Sequence, residues 1–207
     1  HRVSPTHLLA ARYSFYDIHS DNARNVGALN DVSRGTALAN RDQTGAVTSL
    51  ATWGSAVNDL RAQVTRSRLA APANDAIGPA VNIAGVASFG VATFSPERRD
   101  LDVIELADTI SLQRGAHLIK AGVDLLHNRL DIGFSGALAG VYGFASLADM
   151  QRGVYATYQQ AFGEADQAQN NLNTGVFVQD EWRAHSDVTV TAGLRYDVQD
   201  LADPIAT

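Results

Sequence analysis

The chain has 207 residues, enough for one or two ordinary domains, and carries a net charge of −6 at pH 7. A nucleic-acid-binding surface needs a basic stripe, so this acidic balance argues against one. The sequence contains no cysteine, which excludes both a disulfide framework and a thiolate metal site.

The first third of the chain predicts three strands. Successive strand side chains point to opposite faces, and Leu9 and Tyr13 fall on one face of a strand at 7–18. A long polar segment follows, then a strand at 46–53. A short turn leads into a third strand that ends near residue 69. The first connection is therefore long and the second is short.

Residues 76–96 carry no charge, and their length is about the ~20 residues that a membrane-spanning helix needs. Glycine and proline interrupt this segment, and it contains no leucine. Because helix formers are scarce and helix breakers abundant, the sequence favours a glycine-rich loop or hairpin over a spanning helix.

The rest of the chain predicts four more strands. Residues 101–113 and 117–130 meet across the tight turn RGA, and a long segment at 131–172 contains a short helix near SLADMQRG. The last two strands flank the turn RAHSD. In the final strand Val190 and its alternate neighbours point one way, whereas Thr191 and its alternate neighbours point the other.

Tight turns thus alternate with long connections along the whole chain. Connections of about 25 to 40 residues without secondary structure are unusual in a compact soluble domain. Outer-membrane barrels have short periplasmic turns on one rim and long extracellular loops on the other. The alternation predicts an antiparallel up-and-down transmembrane β-barrel segment of all-β class, with residues 20–44, 70–100 and 131–172 outside. The glycines of the third loop suggest that it is mobile.

Two aspartates interrupt the predicted apolar face. Asp180 lies close to its turn, and therefore at the membrane interface, whereas Asp108 lies deeper. An aspartate at the bilayer midplane costs less than the ~2–4 kcal/mol of an arginine or lysine. A β-bulge that reverses the alternation would move Asp108 to the polar face.

The stretch FVQDEWR, followed by DVTVTAGLRYD, resembles the strand–turn–strand signature of TonB-dependent outer-membrane receptors, in particular the Oar-like branch. The stretches YSFYD, VNDLRAQ, RGAHLIKAGVD and YGFASLADMQRG match that branch in the same order. The resemblance implies that residues 1–207 are part of one outer-membrane β-barrel domain of about 22 strands in a Gram-negative bacterium. The plug domain and the C-terminal strands of such receptors have no counterpart in these residues.

The resemblance also implies a function and partners. Members of the family import bulky nutrients with energy from the TonB complex, which engages a short N-terminal box. The expected partners are therefore outer-membrane lipid and lipopolysaccharide, the protein's own plug domain, the TonB complex and an unknown bulky substrate. On the lipid side, Arg66 and Arg68 either reach lipopolysaccharide phosphates or lie beyond the end of their strand.

Candidate functional residues come from the polar face of the predicted strands. If the face assignment is correct, five charged side chains line the lumen, where they contact the plug or the substrate or are simply solvated. These residues are Arg12, Arg61, Lys120, Asp124 and Arg195.

No catalytic residue, cofactor site or metal site is predicted. The tripeptide His-Ser-Asp occurs at 19–21 and 185–187, but adjacent side chains diverge and cannot form a triad, so each is interpreted as a polar turn. An outer-rim cation site at Asp17, His19 and Asp21 is a minor alternative. The predicted function is the wall of a TonB-dependent transporter without an enzymatic step. A passive or adhesive outer-membrane barrel and a soluble all-β binding module are the alternatives.

Overall fold

The computed structural model describes residues 1–94 and 97–201 and consists almost entirely of strands. In chain order the elements are β1 (Arg2–Ser4), β2 (His7–Arg24), a 3-10 turn (Val32–Arg34), β3 (Thr36–Trp53), β4 (Ala56–Ala70), β5 (Ala80–Ile83), β6 (Ala87–Phe89), β7 (Arg98–Arg114), β8 (His117–Gly133), β9 (Val141–Phe144), α1 (Leu147–Gln151), β10 (Thr157–Gln159), β11 (Asp166–His185) and β12 (Val188–Asp200).

Eight strands form one antiparallel sheet in the order β1-β2-β3-β4-β7-β8-β11-β12, which we call the wall. Each long strand pairs with its predecessor and its successor in the wall, so the topology is a simple up-and-down meander. The seven predicted strands and their antiparallel arrangement are confirmed, and the short β1 is an addition.

The wall strands are longer than the sequence predicted. β2 continues to Arg24 and β3 begins at Thr36, so most of 20–44, predicted as a loop, is strand. The extensions carry polar side chains on both faces, as in the neighbouring residues Asn40 and Arg41 of β3. Apolar alternation therefore stops well before the strands do, so alternation does not mark their ends.

The long connections fold into a second, four-stranded sheet in the order β10-β9-β5-β6. β5 and β9, which come from different connections, pair in parallel from Ala80 with Val141 to Ile83 with Phe144. We call residues 25–35, 71–94 and 134–165 the outer cap. The predicted hairpin within 76–96 is confirmed as β5–β6, and the predicted short helix is α1. The expectation of structureless connections is wrong.

The outer cap has a packed interior of its own. Most of the buried apolar side chains belong to it, including Ala80, Ile83 and Val91. The buried guanidinium of Arg34 joins two connections, because it donates hydrogen bonds to the Val91 carbonyl and, at 3.5 Å, to Thr93 Oγ1. Burial lowers the pKa of Arg34 below its ordinary value.

The glycines at the start of the third connection shape ordered turns. Gly136 and Gly140 have positive φ angles of 51° and 84°, which favour glycine over other residues. The Gly140 amide donates to the Ala137 carbonyl at 2.9 Å, and the Leu138 amide donates to the Ser135 carbonyl at 3.0 Å. These two glycines therefore serve turn geometry, and the mobility of this connection stays a prediction.

The wall has an apolar face and a polar face. The apolar face leaves large side chains uncovered, with Leu194 74% and Tyr196 66% exposed. Of the buried apolar residues in the described part of the chain, only Ala51 belongs to the wall. A sheet one layer thick has no core, so its apolar face needs a cover from outside the chain. Among the described residues, no helix is long and apolar enough to span a membrane.

A bulge before Asp108, which would have moved this residue to the polar face, is absent. The pairing of β7 with β4 and with β8 runs through Asp108 without a register shift, so this carboxylate does lie on the apolar face. Its Oδ1 accepts a hydrogen bond of 2.5 Å from Asn58 Nδ2. A neighbouring amide, and not a change of face, therefore accommodates the charge.

Candidate functional site

The polar face of the wall carries all five predicted lumen residues. The cross-strand register places their side chains on the face opposite Val64, Val178 and Leu194. The five fall into two groups. Arg12, Arg61 and Lys120 lie on β2, β4 and β8, and Asp124 and Arg195 lie on β8 and β12.

Arg195 and Asp124 form an ion pair that crosses an entire strand. Arg195 Nη2 lies 2.8 Å from Asp124 Oδ1 and 2.6 Å from Asp197 Oδ1, although β11 runs between the two strands. The crossing point is Gly175, which pairs with Asp124 on one side and Asp197 on the other. A Cβ atom at Gly175 would overlap the guanidinium and both carboxylates. The glycine therefore makes room for the ion pair.

The other three candidates border hollows on the polar face. Arg12 and Arg61 share a hollow of about 490 Å³ with Gln63 and Glu105. Arg61 also borders a second hollow of about 360 Å³ with Lys120. The Arg61 guanidinium binds Asp59 of its own strand through two hydrogen bonds of 2.7 and 3.1 Å.

Lys120, also on the polar face, makes no hydrogen bond or ion pair to another described residue.

Sequence reasoning missed three residues on this face. Asp197 follows Arg195 at the same alternation and could have been found from that spacing. Gly175 and Gly122 could not have been found from the sequence, because the side chains that they make room for belong to neighbouring strands and are known only from the cross-strand register. At Gly122 the Phe177 ring of the neighbouring strand covers the space that a side chain would need.

Near the tight turns, the apolar face carries a polar pair in each strand pair that a long connection joins. His7 Nε2 lies 2.9 Å from Ser49 Oγ, and His117 Nδ1 lies 2.7 Å from Asp180 Oδ2. The third pair is the one between Asn58 and Asp108 already described. In each pair a residue near a tight turn reaches diagonally across to the next strand. The sequence showed the two aspartates but not their partners.

Beyond the apolar stretch, the same face carries a belt of ion pairs at the ends of the strands near the outer cap. Arg66 and Arg68 both bind Asp102, at 3.0 and 2.8 Å, and Arg98 binds Asp166 at 3.0 Å. The pair of Arg41 and Asp17, at 2.9 Å, lies at the same level. We call all these residues the ion belt, together with Asp100, Arg129 and Asp131. Because β4 continues to Ala70, the interpretation that its strand ended before Arg66 is wrong.

The two His-Ser-Asp tripeptides have different settings. Residues 185–187 form the end of β11 and its turn, as expected, but 19–21 lie within β2 and not in a turn. The Asp17 carboxylate binds Arg41, while His19 contacts Asp21 at 3.5 Å. In residues 1–94 and 97–201 no three histidine, aspartate or glutamate side chains are grouped closely enough to hold a metal ion.

The family of the chain follows from comparison with known proteins. A family model described as "Outer membrane beta barrel domain" matches residues 1–203. The chain belongs to this outer-membrane β-barrel family. Its location is therefore the bacterial outer membrane, and this location excludes the soluble binding module.

A solved structure supports the same fold. The outer membrane transporter YddB from Escherichia coli superimposes with a TM-score of 0.58 at 13% sequence identity. The match covers 96% of this chain and 26% of the transporter, so the chain spans about a quarter of that protein's length. The comparison with curated proteins gives no match.

Membership of the family indicates which face of the wall contacts lipid and which faces the inside of the barrel. In such barrels the outward face is apolar and the inward face is polar. On β8 the apolar stretch runs from His117 to His127, ten residue steps, or about 33 Å along the strand at roughly 3.3 Å per step. A strand tilt of about 40° reduces this to a height of about 25 Å, the height of the apolar band in these barrels. The apolar face thus meets lipid, and the polar face lines the lumen.

Proposed function

We propose that the chain forms part of the wall of a TonB-dependent outer-membrane receptor that imports a bulky nutrient. Two observations support this proposal. The fold resembles that of an outer membrane transporter, and the ordered motifs resemble the Oar-like branch of the receptors. The segment itself carries no enzymatic step in this proposal.

The observation that carries the proposal is the organisation of the outer cap. Its three connections are joined by parallel pairing of β5 with β9 and by the Arg34 hydrogen bonds. In addition, the Asp31 amide donates to the Ser88 carbonyl at 2.8 Å. A preorganised surface loses less conformational entropy when it binds a ligand. Such a surface suits a receptor that captures a dilute nutrient before transport, and a passive pore has no need of it.

Within this proposal the lumen residues have distinct roles. Lys120 and the hollows beside Arg12 and Arg61 would contact the plug domain or the passing substrate. The pair of Arg195 and Asp124 would hold the inner surface of the wall in shape, since both charges already have partners.

The ion belt would contact lipopolysaccharide. It lies directly beyond the lipid-facing band, and Arg66 leaves most of its side chain exposed. Arginine forks match the geometry of phosphate oxygens. Unlike Arg195, Arg66 binds its carboxylate only through Nε among the described residues, so its terminal amino groups remain for phosphate oxygens.

Conductance distinguishes the proposal from a passive or adhesive barrel. The full-length protein in a planar lipid bilayer should stay closed until urea displaces the plug, and it should close again when urea is removed. A steady open conductance without urea would favour the passive barrel.

Energy dependence tests the transport step. A strain without this receptor and a strain without TonB should fail to grow on the same nutrient from a panel of single carbon and iron sources. If the receptor strain loses a nutrient that the TonB strain still uses, energised import by this protein is contradicted.

A further inference from the structure

The outer cap contains a cavity of about 480 Å³ between its small sheet and the turn that follows β8. Residues from β5, β9, β10 and three connecting segments border it, so it exists only because the connections fold together. Its volume lies within the range of small-ligand sites, about 300–1,000 Å³. The side chains that matter here are Asn82, Thr93, Phe134, Gln159, Phe162 and Glu164.

Two phenylalanines give the cavity an apolar surface that faces water. Phe162 is 85% exposed and Phe134 is 44% exposed, although the outer cap lies beyond the lipid band. Backbone hydrogen bonds hold both segments in place. The Phe134 amide donates to the Ala165 carbonyl at 2.8 Å, and the Ala161 amide donates to the Ala137 carbonyl at 3.1 Å. Exposed aromatic rings on an ordered aqueous surface indicate a binding site.

The polar side chains of the cavity are free to bind a ligand. Asn82, Gln159 and Glu164 make no side-chain hydrogen bond or ion pair to another described residue. Other polar groups of the cap are used internally, as in Asp149, which accepts from Ser146 Oγ at 2.6 Å. Two amides and a carboxylate therefore offer both donors and acceptors to whatever enters.

The charge of the lining excludes an anionic ligand. Glu164 is acidic, and no lysine, arginine or histidine borders the cavity among the described residues. A phosphate or a ferric chelate with net negative charge would meet one carboxylate and no cation, which disfavours its binding.

We propose that this cavity binds a neutral, polyhydroxylated ligand, a carbohydrate. Sugar hydroxyl groups donate to the Glu164 carboxylate and exchange hydrogen bonds with the amides of Asn82 and Gln159. The C–H faces of the sugar ring pack against Phe134 and Phe162. This inference rests on the proposed import function, for which it supplies the class of nutrient.

The test uses the full-length protein in detergent with an array of neutral glycans, together with ferric citrate and inorganic phosphate as anionic probes. At least one neutral glycan should bind, and neither anion should. Titration calorimetry then gives the dissociation constant of the bound glycan. Binding of the anions without any neutral glycan would overturn the inference, and so would an array without binding.

Matched variants locate the site. Phe162→Ala should weaken glycan binding about tenfold, the loss expected for a central aromatic contact. Because Phe162 is almost fully exposed, this change leaves folding intact. Ile77→Ala is the control, since Ile77 is 83% exposed in the same cap but does not border the cavity. Equal affinities for the two variants would overturn the assignment to this cavity.

Failure of the inference and failure of the proposed function are distinguishable. Glycan binding by the purified protein needs no energy source. If glycan binding depends on Phe162 but uptake does not depend on TonB, the transport proposal is rejected and the carbohydrate site is supported. If growth depends on TonB but no glycan binds, the carbohydrate site is rejected and the transport proposal is supported.

Discussion

The wall and the outer cap are built from the same chain but are stabilised in different ways. The wall is one sheet thick and leaves side chains such as Leu194 uncovered, whereas the cap buries Ala80, Ile83 and Val91 in an interior of its own. The wall therefore depends on lipid to cover its apolar face. The cap depends on contacts between its own connections. A single chain thus combines a region that needs its surroundings with one that carries its own core.

The strongest way to break this comparison is to remove the lipid. Residues 1–207 in buffer without detergent should show no cooperative unfolding and should aggregate, because the apolar face and the strand edges are then exposed. Calorimetry and size-exclusion chromatography measure both. A soluble monomer with a sharp thermal transition would contradict the assigned faces.

A pair of adjacent arginine substitutions compares the two faces of the wall. Val178→Arg places a charge in the middle of the lipid-facing band and should cost about 2–4 kcal/mol. Gln179→Arg, one residue on, places the same charge in the lumen and should cost below about 1 kcal/mol. Reversible folding of the full-length protein into lipid vesicles measures both values. Equal costs would mean that the two faces are not distinct.

The sequence was sufficient to predict the faces of the wall but not the cap. Alternation around Leu60, Val123 and Val190 identified the strands because lipid and water select opposite side chains. The outer ends of the strands were missed because polar residues occupy both faces there. The cap was missed because its parallel pairing joins Ala80 to Val141, two residues far apart in the chain. Local periodicity carries no information about such contacts.

The lumen residues show the same limit. Alternation placed Arg195 and Asp124 on one face, but only the register shows that they meet above Gly175. The hydrogen bond from Asn58 to Asp108 was missed for the same reason, so the sequence alone did not explain an aspartate on the apolar face.

Two glycines of the wall provide a smaller test of its packing. Gly122→Ala should cost about 1–3 kcal/mol, since the new methyl group meets the Phe177 ring and the Asp108 carbonyl. Gly45→Ala is the control, because nothing lies within 4 Å of the position of its Cβ. It should be neutral or slightly stabilising, because alanine restricts the unfolded chain more than glycine does. A neutral Gly122→Ala would show that the cross-strand register is wrong there.

The smallest expected effect concerns the cap alone. Hydrogen bonds from Ser146 and then Arg152 lower the pKa of Asp149 below its usual value. A carboxyl group with a lowered pKa stabilises the folded state at pH values above the pKa it has in the unfolded chain, about 3.9. This stabilisation is lost as the pH falls through the pKa of the folded state. The amide hydrogens of residues 146–153 should therefore lose protection against exchange below about pH 4. Asp149→Asn should remove the pH dependence, and an unaltered response would contradict this role.

The central claim is that neighbouring residues of one wall strand face lipid and water in turn. Because the chain contains no cysteine, Val190→Cys and Thr191→Cys in the full-length protein each provide a single thiol. In intact outer membranes, Val190→Cys should react with a lipid-soluble maleimide and resist a charged one, whereas Thr191→Cys should react with the charged reagent. Comparable labelling of both positions by the charged reagent would contradict the account.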